Sequence, residues 1–186
     1  MSVRTIEGRE VPAAGTWAVD PSHSTASFVV RHLGLAKVRG GFGVLSGNIQ
    51  VAEKPEDSSV EVEIDAASID TGDQGRDDHL RSPDFLDVAE YPNLTFRSTA
   101  VVQAKDGWKV TGDLGIHGIT KGVELDVTFE GAATDPWGGN RIGLSATTEF
   151  NREDFGLTWN QALETGGVLV GKQVKVEIEV EAVLQG

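Results

Sequence analysis

A chain of 186 residues is long enough for one well-buried core, and no stretch of it reads as a second domain. Its 16 lysines and arginines against 29 acids give a net charge of −13, which excludes a basic stripe for nucleic acid and argues against adsorption to anionic lipid headgroups, though not against a lipid held inside. Cysteine is absent, so disulfides and thiolate metal ligands are excluded as well.

In chain order, the first segment runs from Met1 to Gly15 and mixes Arg4, Glu7, Arg9 and Glu10 with no apolar run. A secretory leader needs an apolar stretch of roughly 7–15 residues. Residues 1–15 therefore read as a flexible segment ahead of a domain spanning 16–186, and the protein as cytoplasmic unless a leader was removed beforehand. No stretch approaches the ~18 apolar residues of a transmembrane segment.

Alternation of apolar and charged residues then carries the reading. A short strand is expected around Trp17 to Val19, and another where Ala26, Phe28, Val30 and His32 oppose Arg31. Val38 to Val51 is long and broken by Gly40, Gly41, Gly43 and Gly47, as bulges or barrel corners require. Val60, Val62 and Ile64 alternate with Glu61, Glu63 and Asp65. After a long connection, Leu94, Phe96, Ser98, Ala100 and Val102 oppose Arg97 and Gln103. Trp108, Val110, Leu114 and Ile116 follow, then Val123, Leu125, Val127 and Phe129, then Ile142, Leu144, Ala146 and Phe150. Val174, Val176, Ile178, Val180 and Ala182 close the series. A helix would scatter these acids into its apolar face, whereas a half-buried strand sorts them.

Tight turns at Lys105-Asp106-Gly107, at Gly118 to Gly122 and at Asp135 to Gly139 make consecutive strands antiparallel neighbours. The fold class is all-β, with about eight principal strands in a meander. A closed barrel can be filled by side chains or hold one small ligand, and a two-sheet sandwich would show the same alternation. Two long connections break the rhythm. One spans Asp70 to Asn93, with a short helix over Gln74–Arg81 ended near Pro83; the other spans Asn151 to Gly171. Loops of that length in a compact domain usually serve as lids or plugs.

No catalytic constellation emerges. His23, His32, His79 and His117 lack the spacing of metal ligands, even with Asp77 and Asp78 beside His79. Ser22-His23-Ser24 has no nucleophile elbow near it, and Asp154-Phe155-Gly156 lacks every other kinase element. The aromatic residues are more informative. Phe28, Phe42, Phe96, Trp108, Phe129 and Phe150 take apolar parity on strands, and Leu80, Phe85, Leu86 and Tyr91 sit in the first long loop. Core packing accounts for each singly, while their number beside a lid-like loop points to a cavity. Trp159-Asn160 offers an amphipathic edge for its mouth.

These residues resemble the YceI-like family of polyisoprenoid-binding proteins from about Trp17 to Val183. The similarity runs through Trp17 to Ser24, Val30 to Gly34, Val38 to Phe42, Tyr91-Pro92, Phe96 to Thr99, Gly112 to Leu114, Ile116 to Lys121 and Asn151 to Gly156. Its most specific block is Arg76-Asp77-Asp78-His79-Leu80-Arg81-Ser82-Pro83-Asp84-Phe85. Gly115, Gly122 and Lys172 depart from the family pattern near hairpin ends. The resemblance implies a lipocalin-like antiparallel barrel whose apolar cavity binds a polyisoprenoid, an isoprenoid quinone or a similar long-chain lipid. It implies no catalytic activity and no cofactor beyond that bound lipid, and it leaves a homodimer open. On this reading Phe28, Val30, Phe42, Phe96, Leu114, Phe129 and Phe150 form the cavity wall, with Leu80, Phe85 and Trp159 framing its mouth. The competing readings are an enzyme using His32, Asp77, His79 and Arg81 at the barrel mouth, and a filled barrel acting as a structural module.

Overall fold

In the computed structural model, which describes residues 2–186, the alternating segments become strands that close on themselves. The chain first forms β1 (Val3–Ile6) and β2 (Arg9–Pro12), then β3 (Gly15–Val19), β4 (Thr25–His32), β5 (Ala36–Phe42), β6 (Leu45–Val51), β7 (Ser59–Asp65) and the two-residue β8 (Ile69–Asp70). Helix α1 (Gln74–Arg81) follows, and β9 (Asn93–Ala104), β10 (Gly107–Ile116), β11 (Ile119–Thr134), β12 (Asn140–Asn151) and β13 (Gln173–Leu184) complete the series.

Each strand pairs antiparallel with its neighbours in the order β3, β6, β7, β9, β10, β11, β12, β13, and β13 returns to β3, which makes a ring of eight. Strands β4, β5 and β8 prolong three of these staves. β13 pairs with β3 through Ala182–Leu184 and with β4 through Lys175–Glu179, while β5 and β6 pair with β4 and β3 in turn. Closure of β12 on β13 over eleven residue pairs, from Arg141↔Val183 to Asn151↔Gln173, excludes the two-sheet sandwich.

The meander sorts its connections by end. The turns at 33–35 and 117–118 and both long connections lie at one end; the 52–58, 105–106 and 135–139 connections lie at the other. Helix α1 forms where the sequence places it. Asp73 caps it by accepting from the Arg76 N–H at 2.9 Å, and Pro83 follows the Ser82 C-cap.

Two expectations are corrected. Residues 1–15, expected to be flexible, instead hold the β1–β2 hairpin from Val3 to Pro12, with Val11 buried; Met1 lies outside the described residues. Glu7 and Gly8 take φ of 50° and 79°, the left-handed pair of a tight hairpin turn. Tertiary bonds hold it: Arg4 donates to the carbonyl and carboxylate of Glu53, Arg9 to the carbonyls of Ala104 and Lys105. Arms this short cannot be stable alone, so local pattern gave no sign of them.

The second correction concerns β9. Its ladder to β10 slips between Thr111 and Gly112, where Ala100 and then Ser98 are the successive partners. The extra residue, Thr99, reverses the parity beyond it, so Val101 is buried and Val102 is 57% exposed. Val102 does not share the inner face of Leu94 and Phe96.

The packed core occupies the two ends of the barrel. At the end bearing the N-terminal hairpin, Trp17, Ile49, Val51, Ile142 and Ala182 form a buried cluster, and the Trp17 indole N–H donates to the Ala13 carbonyl at 3.0 Å. At the opposite end Leu86, Leu94, Ile116, Phe155 and Leu157 pack beneath the long connections. Two smaller clusters pack along the wall, Val19 with Ala26 and Leu45 and Val101 with Val110 and Leu125, but the space along the axis is left unfilled.

A candidate apolar site inside the barrel

The unfilled middle is a cavity of about 670 Å³. Consecutive strands each contribute inward residues: Val19 from β3, Phe28 and Val30 from β4, Phe42 from β5, Ile49 from β6, Val62 and Ile64 from β7. Leu94 and Phe96, Val110 and Leu114, Val123 and Leu125, Leu144 and Phe150, and Val176 and Ile178 complete the wall from β9 to β13. Its volume falls within the roughly 300–1,000 Å³ of small-molecule sites. The alternation that sends acids outward therefore lines a hollow rather than a solid core.

Nine of the ten residues singled out from the sequence line this cavity: Phe28, Val30, Phe42, Leu80, Phe85, Phe96, Leu114, Phe150 and Trp159. Phe129 does not. It packs against the cluster around Trp17 and Ile142 at the sealed end. Parity alone told inward from outward but not how far along the barrel axis a residue sits. The aliphatic wall residues had the same parity as the aromatics and were equally legible. Leu157, Leu169, Val170 and Arg152 were not, because the second long connection has no periodicity to read.

The mouth is marked by residues that line the cavity yet reach solvent. Arg31 on β4 and Gly75 and Arg76 on α1 are exposed, with Val38, His79, Trp159 and Leu169 half-buried beside them. The opening exists because β8 pairs with β5 only at Gly41 and Phe42, leaving Ala36–Gly40 without a strand on its outer side. Thr71 and α1 cover part of this gap; at Gly40 a Cβ would lie 2.7 Å from the Thr71 methyl and 2.5 Å from the Phe28 ring. Glycine there lets the Phe28 ring lie across the backbone.

The two long connections meet over the barrel through aromatic contacts. The His79 ring sits edge-on to Trp159 at 4.6 Å and to Phe85 at 5.1 Å, and its Nε2 lies 2.8 Å from Asp84. The second connection is stitched inward by Asn160, whose side chain donates to the Val170 carbonyl and accepts from its N–H. Arg152, only 3% exposed, donates to the carbonyls of Gly171 and Leu157 at 2.9 and 2.5 Å. Burial pushes the pKa of its guanidinium down, against a smaller opposing pull from Glu153.

Among the described residues, no side-chain hydrogen bond or ion pair links the four polar residues considered for catalysis. Asp77 is buried and accepts from the N–H and hydroxyl of Thr71. Arg81 donates to the carbonyls of Ala67 and Ile69. His32 pairs with Val170 through its backbone, and the His79 ring is engaged by Asp84. The block from Arg76 to Phe85 thus divides: its charged residues hold the connection in place, and Leu80 and Phe85 face the cavity. Elsewhere, on the outer surface, Asp20, His23 and Glu181 bring three ligand-type atoms within 4.8 Å, but Arg141 already donates to both carboxylates. No helix among the described residues is long and apolar enough to cross a membrane.

The molecule has counterparts. The model of the YceI-like domain matches residues 17–182. A UPF0312 protein of Vibrio parahaemolyticus is 42% identical over 138 residues, covering 73% of each chain. One from Pseudomonas putida KT2440 is 39% identical over 165 residues, covering 88% of this chain and 82% of its own. Among solved structures, Burkholderia cenocepacia BcnA superposes with a TM-score of 0.76 at 25% identity, over 88% of this chain and 98% of that one. A YceI protein of Campylobacter jejuni gives 0.70 at 30% identity, over 84% and 90%. A polyisoprenoid-binding domain from Saccharophagus degradans, implicated in plant cell wall breakdown, shares the fold at 0.67 and 18% identity, over 91% and 98%. The matched span takes in all or most of each strand of the closed barrel and the connections that frame its mouth, and the chain belongs to the YceI-like domain family.

Proposed function

We propose that this protein is a binding protein that holds a long apolar chain inside its barrel, a polyisoprenoid, an isoprenoid quinone or a similar lipid, for carriage, storage or sequestration. The observation that carries the reading is the cavity of about 670 Å³, walled by apolar side chains from consecutive strands and opening beside β5. Each buried methylene contributes about 0.8 kcal/mol, so a chain of some twenty carbons gains roughly 16 kcal/mol before its ordering costs. The polyisoprenoid binding named for the S. degradans domain supports the same class of ligand on the same fold. Polar groups gather at the mouth, where a lipid's head would reach water.

The test is direct. Solvent extraction of purified protein followed by mass spectrometry is expected to release a long-chain lipid. Delipidated protein is expected to take up a prenyl chain from detergent with one-to-one stoichiometry. Absence of both would overturn the proposal and leave the interior as an empty structural void.

A further inference from the structure

The β4–β5 hairpin projects beside the mouth and ends on a turn built against conformational preference. Leu33 has φ of 55° and Gly34 of 69°, the two left-handed residues of a type I′ turn closed by the Leu35 N–H donating to the His32 carbonyl at 3.0 Å. Asparagine, aspartate or glycine would take the first position with less strain. A leucine stands there instead, 39% exposed, and Leu35 two residues on is 79% exposed. The neighbouring connection, joined to the tip where the Leu33 N–H donates to the Leu169 carbonyl, adds Val168 at 42% exposure. Folding alone does not call for an apolar tip in water.

The charge of this element is opposite to that of the molecule. Between Pro21 and Ala52 there is no aspartate or glutamate, while Arg31, Lys37 and Arg39 all stand on the hairpin, in a chain of net charge −13. All three are exposed, and none forms an ion pair with a carboxylate among the described residues. Lysine and arginine on a free strand edge also deter strand addition, which accounts for Lys37 and Arg39 but not for the leucines. The acid that the ladders bring to this hairpin is Asp70, which stands opposite Gly41 at the far end of β5 from the tip and accepts from the Gly72 N–H. Charges farther away than the screening length of about 8 Å at physiological salt contribute little to what the tip meets.

We propose that the β4–β5 hairpin is a membrane-docking tip: Leu33 and Leu35 enter the headgroup region of an anionic bilayer, Arg31, Lys37 and Arg39 meet its phosphates, and the mouth of the cavity is thereby placed against the lipid. An apolar anchor flanked by basic residues is the combination interfacial binding requires. The same hairpin contributes Val30 and Val38 to the cavity wall, so docking and access to the interior share one element. The net charge, which argues against adsorption, describes the whole surface and not this tip. Docking is independent of what the cavity holds.

Flotation of the full chain with vesicles tests it. Binding is expected to mixed phosphatidylcholine–phosphatidylglycerol vesicles, weakly or not at all to phosphatidylcholine alone, and to fall at high salt. Lys37→Glu with Arg39→Glu is expected to weaken it at least about tenfold. Leu33→Asn is the sharper variant, since it relieves the turn and is expected to raise the Tm while lowering vesicle binding. Uptake of a prenyl chain from detergent is expected to be unchanged in both variants, which separates failure of docking from failure of cavity binding. Absence of phosphatidylglycerol-dependent binding overturns the proposal, as does binding indifferent to these substitutions. Concentration-dependent self-association abolished by the same substitutions, without vesicle binding, would assign the tip to a second copy of the chain and overturn it equally.

Discussion

Arg152 shows how one side chain can organise a segment whose own secondary structure is one 3₁₀ turn, Arg152–Phe155, and isolated bridges. The connection from 152 to 172 crosses the barrel end with only isolated bridges, so several of its carbonyls need other donors. A guanidinium has five N–H groups in a rigid fork and can serve several carbonyls at once. Here it serves Gly171 and Leu157, while Asn151 caps the first turn through the Glu153 N–H. Replacing it with methionine keeps much of the volume but strands two inward carbonyls. Arg152→Met is expected to cost about 3 kcal/mol in urea unfolding and to raise amide exchange through 157–171 more than in the strands. An unchanged exchange pattern there would show that the loop holds itself.

Tyr91 and Gly118 illustrate the same scale at the end of the first long connection. The β10–β11 turn places His117 and Gly118 at φ of 53° and 73°, and a Cβ on Gly118 would lie 2.6 Å from the Tyr91 ring. The end of the first long connection is thus seated on a turn that only glycine leaves open. Tyr91 and His117 stack edge-on at 5.0 Å, which joins two segments far apart in sequence.

At the scale of an element, the bulge in β9 is the most testable feature. It turns Val101 inward, where Val110 and Leu125 pack with it, and turns Val102 out. Val101→Asp is expected to destabilise by several kcal/mol, since it buries a charge without a partner, whereas Val102→Asp is expected to stay within about 0.5 kcal/mol of the parent. Equal effects would mean a regular strand. Strict alternation from Leu94 to Val102 gave no sign of this slip, because a bulge inserts a residue without altering composition. Alternation succeeded where the ladders are unbroken, as in β13, whose every second residue from Val174 to Val180 faces inward.

For the whole molecule, hollowness itself is open to mutation. Leu114 faces the cavity from β10, opposite Phe96 on β9. Leu114→Trp extends an indole into empty space, so it is expected to hold the Tm within a few degrees while weakening prenyl-chain uptake at least about tenfold. A large loss of stability would mean that the interior is already filled. The barrel is also tied from outside by Arg141 on β12, which reaches Asp20 at 2.7 Å, Asp135 at 2.8 Å and Glu181 on β13. Hydrogen bonds from Arg141 above all hold the Asp20 carboxyl well below the usual range, with His23 adding to the effect, and they lower Asp135 likewise. The folded state therefore binds fewer protons than the unfolded state. The stabilisation is complete above the ordinary carboxylate value of about 4 and is lost as pH falls through the depressed folded values. Arg141→Met is expected to lower the Tm near neutrality, with the gap to the parent narrowing only below about pH 4.

What the amino-acid order determined by itself is the side strand residues face wherever the ladder is unbroken, the antiparallel meander, the short helix over Gln74–Arg81 and the existence of two long connections. Those follow from local physics: period-two burial, turn chemistry and capping act over a few residues. The similarity of ordered motifs added the family. Tertiary structure alone decided that the strands close into a ring, that Phe129 belongs to the sealed end, that residues 3–12 form a hairpin and that the middle is empty. A packed core and a hollow one demand the same apolar parity; only the radius of the closed sheet, measured against the side chains pointing into it, tells them apart.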